Sequence, residues 1–242
     1  MTTQAPIVLL HGWGFLPGIW SDVQEQLRQR GIAAPITTPA LPLSGHISQL
    51  TAIESLYDTL PETTHLVGWS LGGELALAYA ICFPERAQSL TLISSTPCFM
   101  NRPDWELGQP ATLLDDFDQR LAESPAGLLK RFSSLIRHGD SAAVRNRSLV
   151  ETLQTQADTD ADRLASGLRF LRTIDLRGAC ASQEYLPPIT LIHGAVDGVV
   201  PIAAAQWLAD NLNAPLTTID QASHALPLTH ADQIAEILAS RL

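Results

Sequence analysis

His65-Leu66-Val67-Gly68-Trp69-Ser70-Leu71-Gly72-Gly73 is the stretch that decides the fold. A short apolar run reaches Gly68, a Gly-x-Ser-x-Gly pattern follows, and Leu71–Cys82 then reads as a helix. Strand, sharp turn and helix are the context this motif demands. The turn forces Ser70 into a strained backbone conformation, and the glycines two residues to either side leave room for it. It also exposes the Ser70 hydroxyl at a helix N-terminus, where the Leu71 N–H is free to donate to a developing oxyanion.

The same alternation continues on both sides. Ile7–Leu10, Leu90–Ser94, Ile189–His193 and Leu216–Ile219 are short apolar or β-branched runs, the pattern of strands buried on both faces. Helical patterns occupy Ser21–Arg30, Ile202–Leu212 and Ala231–Leu242. Strands alternating with helices imply an α/β fold with a mostly parallel sheet and helices on both faces. Between about Cys98 and Gln183 the alternation stops. Leu113, Leu114, Phe117 and Leu121 form one helical stripe, Leu128, Leu129, Phe132, Leu135 and Ile136 a second, and Leu164, Leu168 and Leu171 a third. These predict a helical cap, residues 99–182, inserted into a core of residues 1–98 and 183–242.

A serine hydroxyl is a poor nucleophile until a base takes its proton. Of seven histidines, His224 follows the last strand and precedes the last helix, which places it over the carboxyl edge of the sheet. Its rival His230 stands at the start of the C-terminal helix, where capping or solvent exposure is expected. Asp197 lies four residues beyond the strand run that ends at His193, where a carboxylate can orient the imidazole; alone it reads as an Asp-Gly turn. The order Ser70, Asp197, His224 is that of a nucleophile–acid–base triad. His11-Gly12-Trp13-Gly14 follows the first strand and supplies a second candidate oxyanion donor, the Trp13 N–H. An acyl slot lined by Trp13, Trp69, Leu71 and Phe132 is expected between sheet and cap.

Composition narrows the function. Among 242 residues, 45% are apolar and 17% charged, which excludes a disordered chain. No apolar run approaches the roughly 18 residues of a membrane span. The N-terminal residues lack the basic region of a secretory signal, so a cytoplasmic protein is expected. Cys82, Cys98 and Cys180 are odd in number and widely spaced, and read as buried free thiols rather than disulfides or metal ligands. No metal or cofactor is implied. The net charge of −10 argues against nucleic-acid binding.

Together these pieces resemble the α/β-hydrolase superfamily along nearly the whole chain. Leu9-Leu10-His11-Gly12-Trp13-Gly14, Gly68-Trp69-Ser70-Leu71-Gly72-Gly73, Pro84-Glu85-Arg86, Ser94-Ser95-Thr96-Pro97-Cys98-Phe99 and Leu171-Arg172-Thr173-Ile174-Asp175-Leu176-Arg177 resemble the pimeloyl-[acyl-carrier protein] methyl ester esterases of biotin synthesis. The loop Thr38-Pro39-Ala40-Leu41-Pro42-Leu43-Ser44-Gly45 departs from the family's usual Asp-x-Pro-Gly-x-Gly. The resemblance implies an esterase acting on a pimeloyl methyl ester held by acyl-carrier protein; separately, a monomer is expected. Short-chain carboxylesterase or thioesterase activity, or ligand binding without turnover, are the alternatives.

Charge is unevenly spread. Residues 101–180 hold eleven of the fifteen Lys and Arg, and Lys130, Arg131, Arg137, Arg145 and Arg147 face a single acid, Asp140, within one short segment. An acidic enzyme with an acidic carrier as substrate needs such a local positive patch. The resemblance assigns carrier docking to cap arginines, carried over here to Arg131, Arg145 and Arg147.

Overall fold

The computed structural model describes residues 4–145 and 148–242. Six strands, β1 (Ile7–Leu10), β2 (Ile36–Thr37), β3 (Thr64–Trp69), β4 (Ala87–Ile93), β5 (Ile189–Gly194) and β6 (Leu216–Ile219), form one sheet in the order β2-β1-β3-β4-β5-β6. Every pairing is parallel. β1, β3 and β5 are buried along their whole length, which is why they read as unbroken apolar runs. All strands point the same way, so the loops after β1, β3, β5 and β6 gather at one edge.

Helices α1 (Ser21–Gln29), α2 (Gln49–Thr59) and α3 (Leu71–Cys82) follow the first three strands. α3 is buried through nearly all its turns, as expected of the central helix against a sheet. Between β4 and β5 come α4 (Ala111–Glu123), α5 (Pro125–Leu135), α6 (Ser141–Arg145), α7 (Ser148–Thr155), α8 (Ala161–Thr173) and α9 (Arg177–Ser182). The apolar stripes of α4, α5 and α8 are buried. α10 (Ile202–Leu212), α11 (Leu226–Thr229) and α12 (Ala231–Ala239) complete the chain, with α12 packed on α1.

The strand β2 and the helices α2, α6, α7, α9 and α11 escaped the sequence reading. β2 is an edge strand of only two residues, too short to show a period. α2 buries Ala52, Ile53 and Leu56, but Thr51, Ser55 and Thr59 dilute its pattern. Its start is set locally: the Ser48 side chain accepts from Thr51 N–H, as an N-cap does. Cys98 and Cys180 are buried, but Cys82 is exposed, which corrects the expectation for that thiol: it sits on the last turn of α3, where the helix leaves the sheet. Burial pushes the Cys180 thiol up to about 12. Among the described residues no helix is long and apolar enough to cross a membrane.

Candidate active site

Ser70 sits in the turn from β3 to α3 at φ 55, ψ −123, a region sparsely populated by non-glycine residues. Two glycines make this turn possible by close approach. A Cβ on Gly68 would lie 2.3 Å from the Gly72 carbonyl oxygen, and one on Gly72 would lie 2.4 Å from the carbonyl oxygens of Leu10 and His11. The start of α3 is thereby pressed against the end of β1. The Leu71 N–H belongs to the first turn of α3, where backbone donors lack an intrahelical acceptor.

His224 and Asp197 converge on Ser70 from the loops after β6 and β5. The Ser70 hydroxyl lies 2.9 Å from His224 Nε2, and His224 Nδ1 lies 2.8 Å from Asp197 Oδ2. Hydrogen-bond logic assigns the proton to Nδ1, donated to the carboxylate, leaving Nε2 to accept from the hydroxyl. Asp197 is itself held: its Oδ1 accepts from Val199 N–H at 2.8 Å and Val200 N–H at 2.9 Å. Burial alone would raise this carboxyl, but the facing His224 and the hydrogen bonds hold it below the ordinary carboxylate range. The Asp-Gly pair is therefore both a turn and the anchor of the imidazole.

The first loop is fastened by His11. Its Nδ1 lies 3.0 Å from the Gly12 carbonyl and its Nε2 accepts from Leu41 N–H at 3.3 Å. A ring with one acceptor nitrogen is neutral, and burial, which lowers its pKa, acts in the same direction. Anchoring the Gly12 carbonyl fixes the peptide plane that carries the Trp13 N–H on its other side. The loop after β2, where the chain departs from the family pattern, is thus tied directly to the loop after β1.

A cavity of about 230 Å³ opens beside these groups, lined by Trp13, Leu71, Leu41, Leu43, Leu164 and Arg163 among others. It is smaller than the roughly 300–1,000 Å³ of drug-sized pockets and suits a thin chain. Trp13 and Leu71 line it as expected; Trp69 and Phe132 are not part of its wall. The Trp69 ring packs against Phe15, and its Nε1–H donates to the His224 carbonyl at 2.9 Å. Phe132 meets the Trp13 ring edge-on at 4.9 Å, while Phe117 stacks on it at 5.6 Å. Trp13 Nε1–H donates to the Leu164 carbonyl of α8 at 2.9 Å.

His230 stands at the N-cap position of α12 but makes no cap bond through its ring. It is partly buried, with Nδ1 2.8 Å from the Thr229 hydroxyl, and burial lowers its pKa. Arg131 is exposed and lies 3.6 Å from Asp116. Arg145 belongs to α6, but its side chain and the whole of Arg147 lie outside the described residues.

Several participants were not legible in the sequence. Ser95 Oγ donates to the Ser70 carbonyl at 3.1 Å. His193 donates from Nε2 to the Val200 carbonyl at 2.9 Å, bracing the Asp197 turn from beneath. Asp158 accepts a two-point bond from Arg163 on the cavity rim. A motif signals the reacting atoms, whereas these supports carry no fixed spacing.

Comparison with known proteins agrees with this architecture. Residues 7–237 match the model of the alpha/beta hydrolase family. A pimeloyl-[acyl-carrier protein] methyl ester esterase of Nitrosomonas europaea is 36% identical over 235 residues, covering 94% of this chain and 91% of that protein. The corresponding esterase of Aromatoleum aromaticum is 36% identical over 247 residues, covering 96% of each. Among solved structures, an esterase from Exiguobacterium antarcticum superposes with a TM-score of 0.82 at 20% identity, covering 100% of this chain and 92% of that one. The chain belongs to the alpha/beta hydrolase family and, within it, to the group of pimeloyl-[acyl-carrier protein] methyl ester esterases.

Proposed function

We propose that this protein is a serine esterase that hydrolyses the methyl ester of a pimeloyl chain carried on acyl-carrier protein, in the cytoplasm. The observation that carries the chemistry is the continuous hydrogen-bond chain from Ser70 through His224 to Asp197. The two relatives named above direct the choice of ester.

In this reading His224 Nε2 takes the Ser70 proton as Oγ attacks the ester carbonyl. The N–H groups of Trp13 and Leu71 receive the oxyanion. Asp197 holds the Nδ1–H tautomer and stabilises the imidazolium. His224 then gives its proton to the departing methoxide, and methanol leaves an acyl-enzyme on Ser70. Water attacks that ester with His224 again as base, releasing the carboxylate and restoring the hydroxyl. All the atoms this chemistry needs are supplied by side chains, backbone and water.

The acyl chain runs into the cavity beside Trp13 and Leu71. The helices at 99–182 act as a cap over the core, and Arg131, Arg145 and Arg147 receive the carrier. Charge supports this: Lys130 and Arg137, which border a second cavity of about 350 Å³ between α5 and α7, have no ion-pair partner among the described residues. The test is direct. Wild type should release methanol from the carrier-bound pimeloyl methyl ester, with a transient adduct on Ser70 of the pimeloyl chain still joined to its carrier. Release of methanol by Ser70→Ala at the wild-type rate would refute the mechanism. A wild-type enzyme that cleaves only small esters would refute the substrate.

A further inference from the structure

The loop carrying His224 runs from the end of β6 at Ile219 to the start of α11 at Leu226. It has no regular structure, so each buried backbone group needs a partner from elsewhere. The Gln221 carbonyl accepts from Ser141 N–H at 3.1 Å, and the Ala222 carbonyl accepts from Val196 N–H at 3.0 Å. Ser223 N–H donates to Asp140 Oδ2 at 3.2 Å, and the His224 carbonyl accepts from Trp69 Nε1–H at 2.9 Å. Ala225 N–H donates to the Ile136 carbonyl at 3.0 Å. Three of these five ties come from one short segment of the helical insertion, Ile136 to Ser141, and only one of the three is made by a side chain.

That side chain is Asp140. It is wholly buried, and its other oxygen accepts from Ala142 N–H at 2.8 Å and Ala143 N–H at 3.1 Å, at the first turn of α6. His230 Nδ1 stands 3.9 Å from Oδ2 but is engaged with Thr229. One carboxylate therefore fastens both the start of α6 and the residue just before His224. It is also the single acid among the cations between Lys130 and Arg147, which had no role in the docking reading.

We infer that Asp140 is a positioning residue for His224, acting through the Ser223 backbone and coupling the insertion to the base. This rests on the reading of His224 as the base that activates Ser70. The physical reason is the tolerance of the chemistry: a displacement of about 1 Å in a reacting group can cost on the order of 10²-fold in rate. Ser223 is fully buried and its hydroxyl has no hydrogen-bond partner among the described residues. Without the carboxylate its N–H would be stranded as well. The loop then shifts to find a partner and carries the imidazole with it.

The test uses Asp140→Ser, with Asp140→Ala and Ser70→Ala alongside. Serine keeps a hydroxyl that can accept from the first turn of α6, but is too short to reach Ser223 as well. With p-nitrophenyl butyrate, kcat of Asp140→Ser should fall about tenfold or more while KM stays within about twofold. Its melting temperature should stay near that of wild type. The downfield proton resonance of the His224–Asp197 bond should weaken in step with kcat. Wild-type kcat in a folded Asp140→Ser would overturn the inference, as would a loss seen only in Asp140→Ala, which would mean that the carboxylate merely caps α6. A rise in KM with kcat unchanged would overturn it too. Full activity in Ser70→Ala would instead remove the triad reading, and this inference with it.

Discussion

The edge of the sheet and the helical insertion are built by different means. Around Ser70 the bonds are buried: Ser70, His224 and Asp197 are at most 9% exposed, and backbone groups at or beside each are held by hydrogen bonds. Across the insertion, much of the fastening is by ion pairs near water. Arg172 bridges Asp115 and Asp118, Arg120 pairs with Asp116, and Arg163 with Asp160. Exposed pairs of this kind are individually weak and are screened by salt. Geometry that must be held to a fraction of an ångström is thus placed where water cannot compete. The surface that would meet a large partner is left adjustable. Asp140 and Asp158 are the exceptions, buried acids from the insertion that reach into the first region, Asp140 at Ser223 and Asp158, through its N–H, at the Gly14 carbonyl.

The sharpest way to break this contrast is at its rigid end. Ser70→Ala and His224→Ala should each lower ester hydrolysis by several orders of magnitude, about 10⁴-fold or more, with little change in melting temperature. Asp197→Asn should cost on the order of 10⁴-fold by favouring the wrong tautomer. His230→Ala should do far less; a loss as deep as that of His224→Ala would put the base elsewhere.

The boundary between the two regions comes next. Phe132 touches Trp13 rather than the cavity, so Phe132→Ala should destabilise the fold by about 3–5 kcal/mol, as removal of a buried aromatic does. In any folded fraction the longer-chain esters should suffer most, because Trp13 forms the cavity wall. Equal loss for acetate and octanoate esters would show that Trp13 holds its place without its neighbour.

At the surface the expectation reverses. Replacing Arg131, Arg145 and Arg147 by glutamate should slow hydrolysis of the carrier-bound ester about tenfold or more at low salt and less at high salt. Hydrolysis of p-nitrophenyl butyrate should be unchanged. A parallel loss on both substrates would mean that the insertion and the sheet edge are one rigid unit, and the contrast drawn above would fail.

The smallest effect concerns Glu74, one turn into α3, whose buried carboxylate oxygens have no hydrogen-bond partner among the described residues. Burial holds its pKa well above the ordinary value. The folded state therefore binds this proton more tightly than the unfolded chain, so stability falls as pH rises above the unfolded value of about 4.3 toward the folded pKa. Glu74→Gln should remove that slope. Denaturant unfolding from pH 4 to 8 should show the variant gaining on wild type by about 1–3 kcal/mol as pH rises. A constant gap would mean that the carboxyl has found a partner.

The five longer strands and the helices that follow them were legible because each carries its own period. So were Ser70, Asp197 and His224, because a strand-end serine, acid and histidine in that order leave local marks: Gly68 and Gly72, the Asp-Gly turn, and a loop before the last helix. β2, α2 and the short helices α6, α7, α9 and α11 were not, being too short or, for α2, too polar for a period to show. The assignment of Trp69 and Phe132 to the cavity wall was reasonable from their neighbours in sequence, yet the structure puts one beneath His224 and the other behind Trp13.

The sequence by itself therefore determined the α/β order, the parallel sheet and the three residues whose spacing along the chain follows from strand ends. Only the tertiary structure decided which side chains brace them. Asp140 meets Ser223 across 83 residues, Trp69 meets His224 across 155, and His11 meets Leu41 across 30. Local periodicity reports which face of an element is buried, because that depends on near neighbours in the chain. A hydrogen bond between distant loops depends on how whole elements pack, and leaves no period behind.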